Sequence, residues 1–139
     1  MNQYRFKDIY VGLKEEFQVT VTEDMLKAFC SITGDVNPLH TDEEFAKGKG
    51  YESKVAYGML TASFLSTLAG VYLPGERSLI HSVESKFTKP VFVGDTLTVT
   101  GQVTECNEIF SVFIMKTAIV NQNGEKVLRG KMQVGILED

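Results

Sequence analysis

MLTASFLSTLAG, residues 59–70, is an apolar segment whose only polar groups are the small hydroxyls of serine and threonine. Such hydroxyls can hydrogen-bond back to the helix that carries them, so a helix here tolerates burial on every side. Tyr57-Gly58 leads into the segment and Pro74-Gly75 ends it. We therefore predict a central helix enclosed by the rest of the chain, with Ser66 packed inside and Met59 in the core.

The residues before this helix predict one strand and two further helices. Residues 16–21 alternate in polarity as a half-buried strand does. Thr22 is a typical N-cap for the helix that follows, and Gly34 is a typical stop because glycine adopts the left-handed conformation that ends helices. After a polar loop, Thr41 and Glu44 have the spacing of a capping box and predict a helix over 42–47. The apolar face of the first helix is predicted to contain Met25, Leu26, Phe29 and Ile32.

The residues after the central helix predict a sheet. Segments rich in β-branched and aromatic residues lie at 79–87, 96–104, 110–120 and 127–136, with turn residues at 94–95, 106–107 and 121–124. Pro90 predicts a break after the first strand, because proline cannot donate to a ladder. The chain is thus predicted to be one α+β domain, residues 1–139, with an antiparallel sheet curled around one helix. An unpaired edge strand favours a homodimer.

The composition excludes several classes of function. The chain has 139 residues, 43% of them hydrophobic, as expected for one globular domain. Its formal net charge of −4 offers no basic excess for nucleic acid. Cys30 and Cys106 have no metal-binding spacing and are expected to stay reduced, since no signal peptide is recognised. The apolar segment is too short to span a membrane, so we expect a cytoplasmic protein. We also expect that it uses neither a metal nor a cofactor.

The polar loop Asp35-Val36-Asn37-Pro38-Leu39-His40 holds the best candidates for catalysis. Proline fixes a tight turn, which can aim the carboxylate of Asp35 and the imidazole of His40 at one point. Such a pair can activate a water and return a proton elsewhere, and Asn37 could hold the imidazole or the water. The alternative is that Asp35 and Asn37 are ordinary turn residues that bond to their own backbone.

Gly58, at the start of the central helix, is the second candidate. The first amides of a helix point outward with positive partial charge, and glycine lets a ligand approach them. They could therefore stabilise an oxygen that becomes negative during a reaction. The alternative is that Gly58 only permits a sharp turn. His81, in a predicted strand, is interpreted as a surface residue.

Four blocks of the sequence resemble the MaoC-like dehydratases, in particular the (R)-specific enoyl-CoA hydratases. They are GDVNPLH at 34–40, DEEFA at 42–46, VAYGMLTAS at 55–63 and FTKPVFVGD at 87–95. The likeness extends in order over almost the whole chain. One position departs from the family, because many members have histidine where this chain has Tyr57. The backbone at the following glycine is unaffected by that change, whereas any contact of the histidine side chain is lost.

The resemblance implies the hot-dog fold, a curved antiparallel sheet around one long helix, dimerised edge to edge. It also implies reversible hydration of trans-2-enoyl-CoA to (R)-3-hydroxyacyl-CoA. The catalytic aspartate and histidine of the family map onto Asp35 and His40, and the asparagine that supports them maps onto Asn37. The backbone donor to the thioester carbonyl maps onto Gly58, and a helix serine of the site maps onto Ser66.

A one-water mechanism follows as a hypothesis. His40 acts as the base toward water and Asp35 returns the proton to C2, although the opposite division of labour stays open. Two other functions stay open as well: an acyl-CoA thioesterase on the same fold, and a non-catalytic acyl-CoA-binding module. Lys86, Lys89 and Arg77 are candidates for contacting the phosphates of the nucleotide.

Overall fold

A five-stranded antiparallel sheet is the main layer of the computed structural model, which describes all residues from 1 to 139. The strand order across the sheet is β1-β3-β4-β5-β2. The strands are β1 (Lys14–Thr20), β2 (Ser78–Phe87), β3 (Thr96–Asn107), β4 (Val112–Val120) and β5 (Lys126–Ile136). The helices are α1 (Glu23–Thr33), α2 (Pro38–Thr41), α3 (Glu43–Gly48) and α4 (Gly58–Thr67). A short 3-10 turn (Phe6–Asp8) lies at the start, and a π-helical turn (Leu68–Tyr72) continues α4.

The core lies between the concave face of the sheet and α4. Alternate residues of β3, Val99 and Val103 among them, point inward and are fully buried. A side chain at Gly101 would meet Leu68 at 3.0 Å and the sulfur of Met115 at 2.7 Å, so glycine allows the helix and strand to approach closely. This arrangement confirms the predicted α+β class and the hot-dog fold.

The first helix confirms its predicted boundaries. The Thr22 hydroxyl accepts a hydrogen bond from the Met25 amide at 3.2 Å, and Gly34 ends the helix with φ of 75°. Of the predicted apolar face, Leu26 is buried. Ile32, in the last turn of α1, is 82% exposed, so this part of the predicted apolar face does not pack against the core.

The central helix is only partly enclosed in the single chain, which corrects one prediction. Leu60 and Leu65 are buried, but Met59 is 65% exposed, and Ser63 and Ser66 are exposed on the same side. Met59 is therefore not core filler, and Ser66 is not packed inside. The reason is that the sheet curls around one side of α4 and ends at β2, leaving the other side of the helix uncovered.

The predicted polar loop contains a short helix that the sequence patterns did not reveal. Asn37 caps this helix, α2, by accepting from the Leu39 amide at 2.9 Å. Thr41 ends α2, so it cannot cap α3 as predicted; the cap is Asp42, which accepts from the Phe45 amide at 3.1 Å. The capping-box prediction was thus wrong by one residue, because Thr41 already belongs to the preceding helix.

The strands agree with prediction except at the turn between β3 and β4. β3 continues through Asn107, so the turn predicted at 106–107 lies instead at 108–111, where Ser111 has φ of 49°. Beyond Pro90, the residues 91–93 form only an isolated bridge, Val55 with Phe92, which confirms the break. No helix in the structure is both long enough and apolar enough to cross a bilayer.

Candidate active site

The segment from Asp35 to Asn37 is held by its own backbone. The Asp35 carboxylate accepts from the Asn37 backbone amide at 3.1 Å, and the side-chain oxygen Oδ1 of Asn37 accepts from the Leu39 amide to cap α2. Both side chains are exposed in the single chain. These contacts are those of turn residues, and they also fix the approach of the chain to α2, the helix that carries His40.

His40 is positioned by the residues that lead into α4. The Val55 amide donates to the Leu39 carbonyl at 3.1 Å, and the Val55 carbonyl lies 2.7 Å from Nδ1 of His40. Because a carbonyl can only accept, Nδ1 carries the proton of the neutral ring. The other nitrogen, Nε2, therefore has a free lone pair and can take a proton from a bound molecule.

A cavity of about 320 Å³ lies where α2, the start of α4 and the end of β2 meet. His40 and Gly58 both line it, so the structure brings these two predicted residues together. Its other walls combine apolar and hydroxyl side chains, among them Thr61, Phe87 and Thr88. The cavity can hold a small apolar chain with a polar end next to an imidazole.

The first turn of α4 begins at the wall of this cavity, which Gly58 lines. Tyr57 provides no side-chain cap, and the amides of Gly58 and Met59 have no backbone acceptor in the chain. A side chain at residue 58 would lie 3.2 Å from the Phe87 ring, tighter than an ordinary contact. Glycine therefore lets the helix start pack against β2 while its amides stay free to bind an oxygen.

Tyr57 connects the two parts of the site and was noted from the sequence only as a departure from the family. It is 2% exposed, and its hydroxyl donates to the Asp35 carbonyl at 2.6 Å. Its ring centroid lies 4.2 Å from that of His40 and 4.7 Å from that of Phe29. Burial raises the pKa of Tyr57 to about 12, with a hydrogen bond to Cys30 as the next cause, so the hydroxyl stays protonated and can donate.

Three predicted residues do not line the cavity in the single chain. The carboxylate of Asp35 and the amide of Asn37 are exposed on the segment before α2, and Ser66 lies on the uncovered side of α4. Their roles in the site stay predictions. His81 is exposed, with its Nδ1 3.1 Å from the Gln133 side chain, in agreement with a surface position.

Two ion pairs flank the site. Lys54 binds Glu23 on α1 at 2.5 Å, and Lys89 binds Glu125 at 2.6 Å beside the cavity. The hydrogen bond from Lys89 lowers the pKa of Glu125. Neither pair could be predicted from the sequence, because the partners are far apart along the chain.

Comparisons with known proteins agree with this geometry. Residues 9–124 match the family described as MaoC like domain. The (R)-specific enoyl-CoA hydratase of Aeromonas caviae is 34% identical over 92% of this chain and 96% of its own length. A hydratase of the same description from Rhodospirillum rubrum is 35% identical over 71% of this chain and 69% of its length. The structure of an unliganded R-hydratase from Pseudomonas aeruginosa superposes with a TM-score of 0.91, at 30% identity, over 97% of this chain and 86% of its own.

Proposed function

The chain belongs to the MaoC-like domain family, and we propose that it is a hydro-lyase that reversibly hydrates trans-2-enoyl-CoA to (R)-3-hydroxyacyl-CoA. The observation that carries the proposal is the convergence of His40 and the first turn of α4 on one cavity. Hydration of an α,β-unsaturated thioester needs a base for water and donors for the carbonyl oxygen, and these two elements supply them.

The reaction begins when the thioester carbonyl accepts hydrogen bonds from the amides at Gly58 and Met59. Water attacks C3 as Nε2 of His40 takes one of its protons, and the electrons of the double bond move toward the carbonyl oxygen. The free amides stabilise the enolate that results. C2 then takes up a proton, so that the elements of one water molecule are added across the double bond.

The proton for C2 comes from Asp35, and the proton held by His40 then returns the pair to its starting state. The Asp35 backbone is tied by Tyr57 to the entrance of α4, close to the cavity, which supports this assignment. Its carboxylate is exposed in the single chain, so a second subunit must shield it from solvent for efficient transfer. The alternative is the opposite assignment, in which Asp35 is the base and His40 delivers the proton to C2.

A homodimer provides such a cover. β2 is an edge strand that pairs only with β5. Apolar residues on its helix-facing side are exposed: Ile80 at 38%, Val83 at 48% and Phe87 at 52%. They adjoin the uncovered side of α4, which includes Ser66. Pairing of β2 with its copy would bury this surface and satisfy the free edge.

The experiment is hydration of crotonyl-CoA, followed by loss of the enoyl absorbance and by chiral analysis of the product. We expect (R)-3-hydroxybutyryl-CoA. Asp35→Asn and His40→Ala should each lower kcat at least ~100-fold, the usual scale of acid–base catalysis. Asp24→Asn, at an exposed position outside both the site and the sheet edge, is the matched control. Wild-type rates in either of the first two variants would refute the assignment of that residue.

The same assay separates the two alternative functions. A thioesterase would release free CoA thiol without forming a hydroxyacyl product, because its water attacks the thioester carbonyl. A non-catalytic module would bind the thioester and leave it unchanged.

The cytoplasmic location, and the action of residues 1–139 as one domain, stay predictions. One core cluster of 23 buried residues supports the single domain.

A further inference from the structure

A groove of about 650 Å³ crosses the convex face of the sheet, opposite the face that packs on α4. Six basic side chains line it: Lys14, Lys86, Lys116, Lys126, Arg129 and Lys131. The whole chain has a formal net charge of −4, so this concentration of positive charge runs against its composition. The catalytic mechanism gives the groove no role.

Of the six cations only Lys131 has an acidic partner, and three of the unpaired ones, Lys86, Lys126 and Arg129, lie together at the end of the groove formed by β2 and β5. Lys86 of β2 lies directly opposite Arg129 of β5, and like charges in that position destabilise a sheet. No carboxylate lies within 4.0 Å of Lys86, Lys126 or Arg129. Lys131, by contrast, is 3.9 Å from Glu84. A bound anion would relieve the repulsion between the first three.

This end of the groove adjoins the catalytic cavity. Lys86 and Lys126 immediately precede Phe87 and Val127, which line the cavity on the other side of the sheet. Thr88, also in the cavity wall, donates its hydroxyl to the Lys126 carbonyl at 2.6 Å. The cavity and the three free cations are therefore separated only by the ends of β2 and β5.

Other basic residues near the cavity are already neutralised. Lys89 is paired with Glu125, and Lys54 is paired with Glu23. Arg77, a candidate from the sequence, is away from the cavity and lies 3.6 Å from the carboxylate of Asp139. Of the three cations that the sequence suggested for phosphate binding, only Lys86 has no ion pair.

We propose that Lys86, Lys126 and Arg129 bind the phosphates of the nucleotide end of the CoA substrate, an inference that rests on the proposed function. The pantetheine arm places the phosphates away from the reacting thioester, so they contact a different surface from the enoyl group. Arg129 offers a planar pair of donors that suits a phosphate, and the two lysines add point charges. These three residues thus contact the nucleotide part of CoA, whereas the acyl chain lies in the cavity.

The test compares two substrates and two double variants. The substrates are crotonyl-CoA and crotonyl-pantetheine, which has the same thioester without the nucleotide. Lys86→Glu/Arg129→Glu should raise KM for crotonyl-CoA about 10- to 100-fold with kcat nearly unchanged, as expected for losing one or two charge-assisted contacts. Its KM for crotonyl-pantetheine should match that of the wild type. Lys7→Glu/Lys14→Glu makes the same change of charge away from these residues, since Lys14 lies on β1 at the opposite edge of the sheet and Lys7 is exposed outside the groove, so it should have a much smaller effect.

Titration with adenosine 3′,5′-bisphosphate tests the site without catalysis. The wild type should bind it in a salt-dependent manner, and Lys86→Glu/Arg129→Glu should not. Equal changes for both thioesters, equal effects of both double variants, or unchanged nucleotide binding would each overturn the proposal. Failure of the wild type to hydrate either thioester would overturn the proposed function instead, and the nucleotide titration would then decide the fate of the phosphate site alone. Circular dichroism checks that each variant is folded.

Discussion

The hydroxyl of Tyr57 donates a 2.6 Å hydrogen bond to the backbone carbonyl of Asp35, and the ring of the same residue packs on His40 at 4.2 Å. One buried side chain thus holds both ends of the segment that carries the two predicted acid–base groups. Residues 35–38 of this segment are exposed, so its position depends on such connections.

Replacement of Tyr57 by phenylalanine tests this role. The ring stays and the bond to Asp35 is lost, which should lower kcat for crotonyl-CoA about 3- to 10-fold, as expected for one hydrogen bond. KM should change little, because the cavity keeps its shape. Tyr10→Phe, at an exposed position, is the control. A fall in melting temperature with unchanged kcat would show that Tyr57 serves stability alone.

Asn37 is expected to act through the helix that it caps. Asn37→Ala removes the acceptor for the Leu39 amide and should lower kcat, because α2 carries His40. Asn37→Asp keeps an oxygen at the same place and should retain most of the activity. If both variants are equally impaired in steady-state kinetics, the amide nitrogen of Asn37 must contact the substrate or water directly.

Gly58→Ala tests the first turn of α4. The added methyl group would lie 3.2 Å from the Phe87 ring, so either the ring or the helix start must move. We expect kcat to fall at least about tenfold, as when a donor to a developing oxyanion is displaced. Gly48→Ala has open space around the new methyl group and serves as the control. Normal kinetics in Gly58→Ala would remove these amides from the mechanism.

The edge of β2 predicts the oligomeric state. Val83→Lys places a charge on the exposed apolar surface of this strand and should convert a dimer into a monomer in sedimentation velocity. Activity should fall with dissociation if the partner shields Asp35. Val11→Lys, at an exposed position outside the sheet, should leave the dimer intact. A wild-type protein that sediments as a monomer while fully active would contradict the dimer.

Stability at alkaline pH should report on Tyr57. Its pKa is raised from 10.0 to about 12 in the folded chain, so the folded state favours the neutral phenol. The resulting stabilisation is present below pH 10 and is lost as pH rises toward 12. The free energy of unfolding should therefore fall over this window by about 1–2 kcal/mol more in the wild type than in Tyr57→Phe. Identical urea denaturation profiles for the two proteins across the window would refute this linkage.

Local chemistry explains the parts that were predictable. Thr22 and Gly34 mark the ends of α1 because capping and left-handed backbone depend only on neighbouring residues. The helix α2 was missed, and its residues were predicted to be a loop, because a four-residue helix has too few positions to show a periodicity. For the same reason Thr41, the last residue of α2, was wrongly predicted to cap α3.

The amino-acid sequence by itself determined the α+β class, the curled sheet and the family, because alternation, helix signals and motif spacing are properties of the chain in order. Only the tertiary structure decided that His40 and Gly58 share a cavity, that Tyr57 reaches Asp35, and that Ser66 is left uncovered. Contacts between residues distant in sequence depend on how α4 lies against the sheet. The exposure of Met59 and Ser66 in the single chain could not be predicted from hydrophobicity. A helix suited to burial on all sides has the same sequence pattern whether its last face is covered by its own chain or by a second subunit.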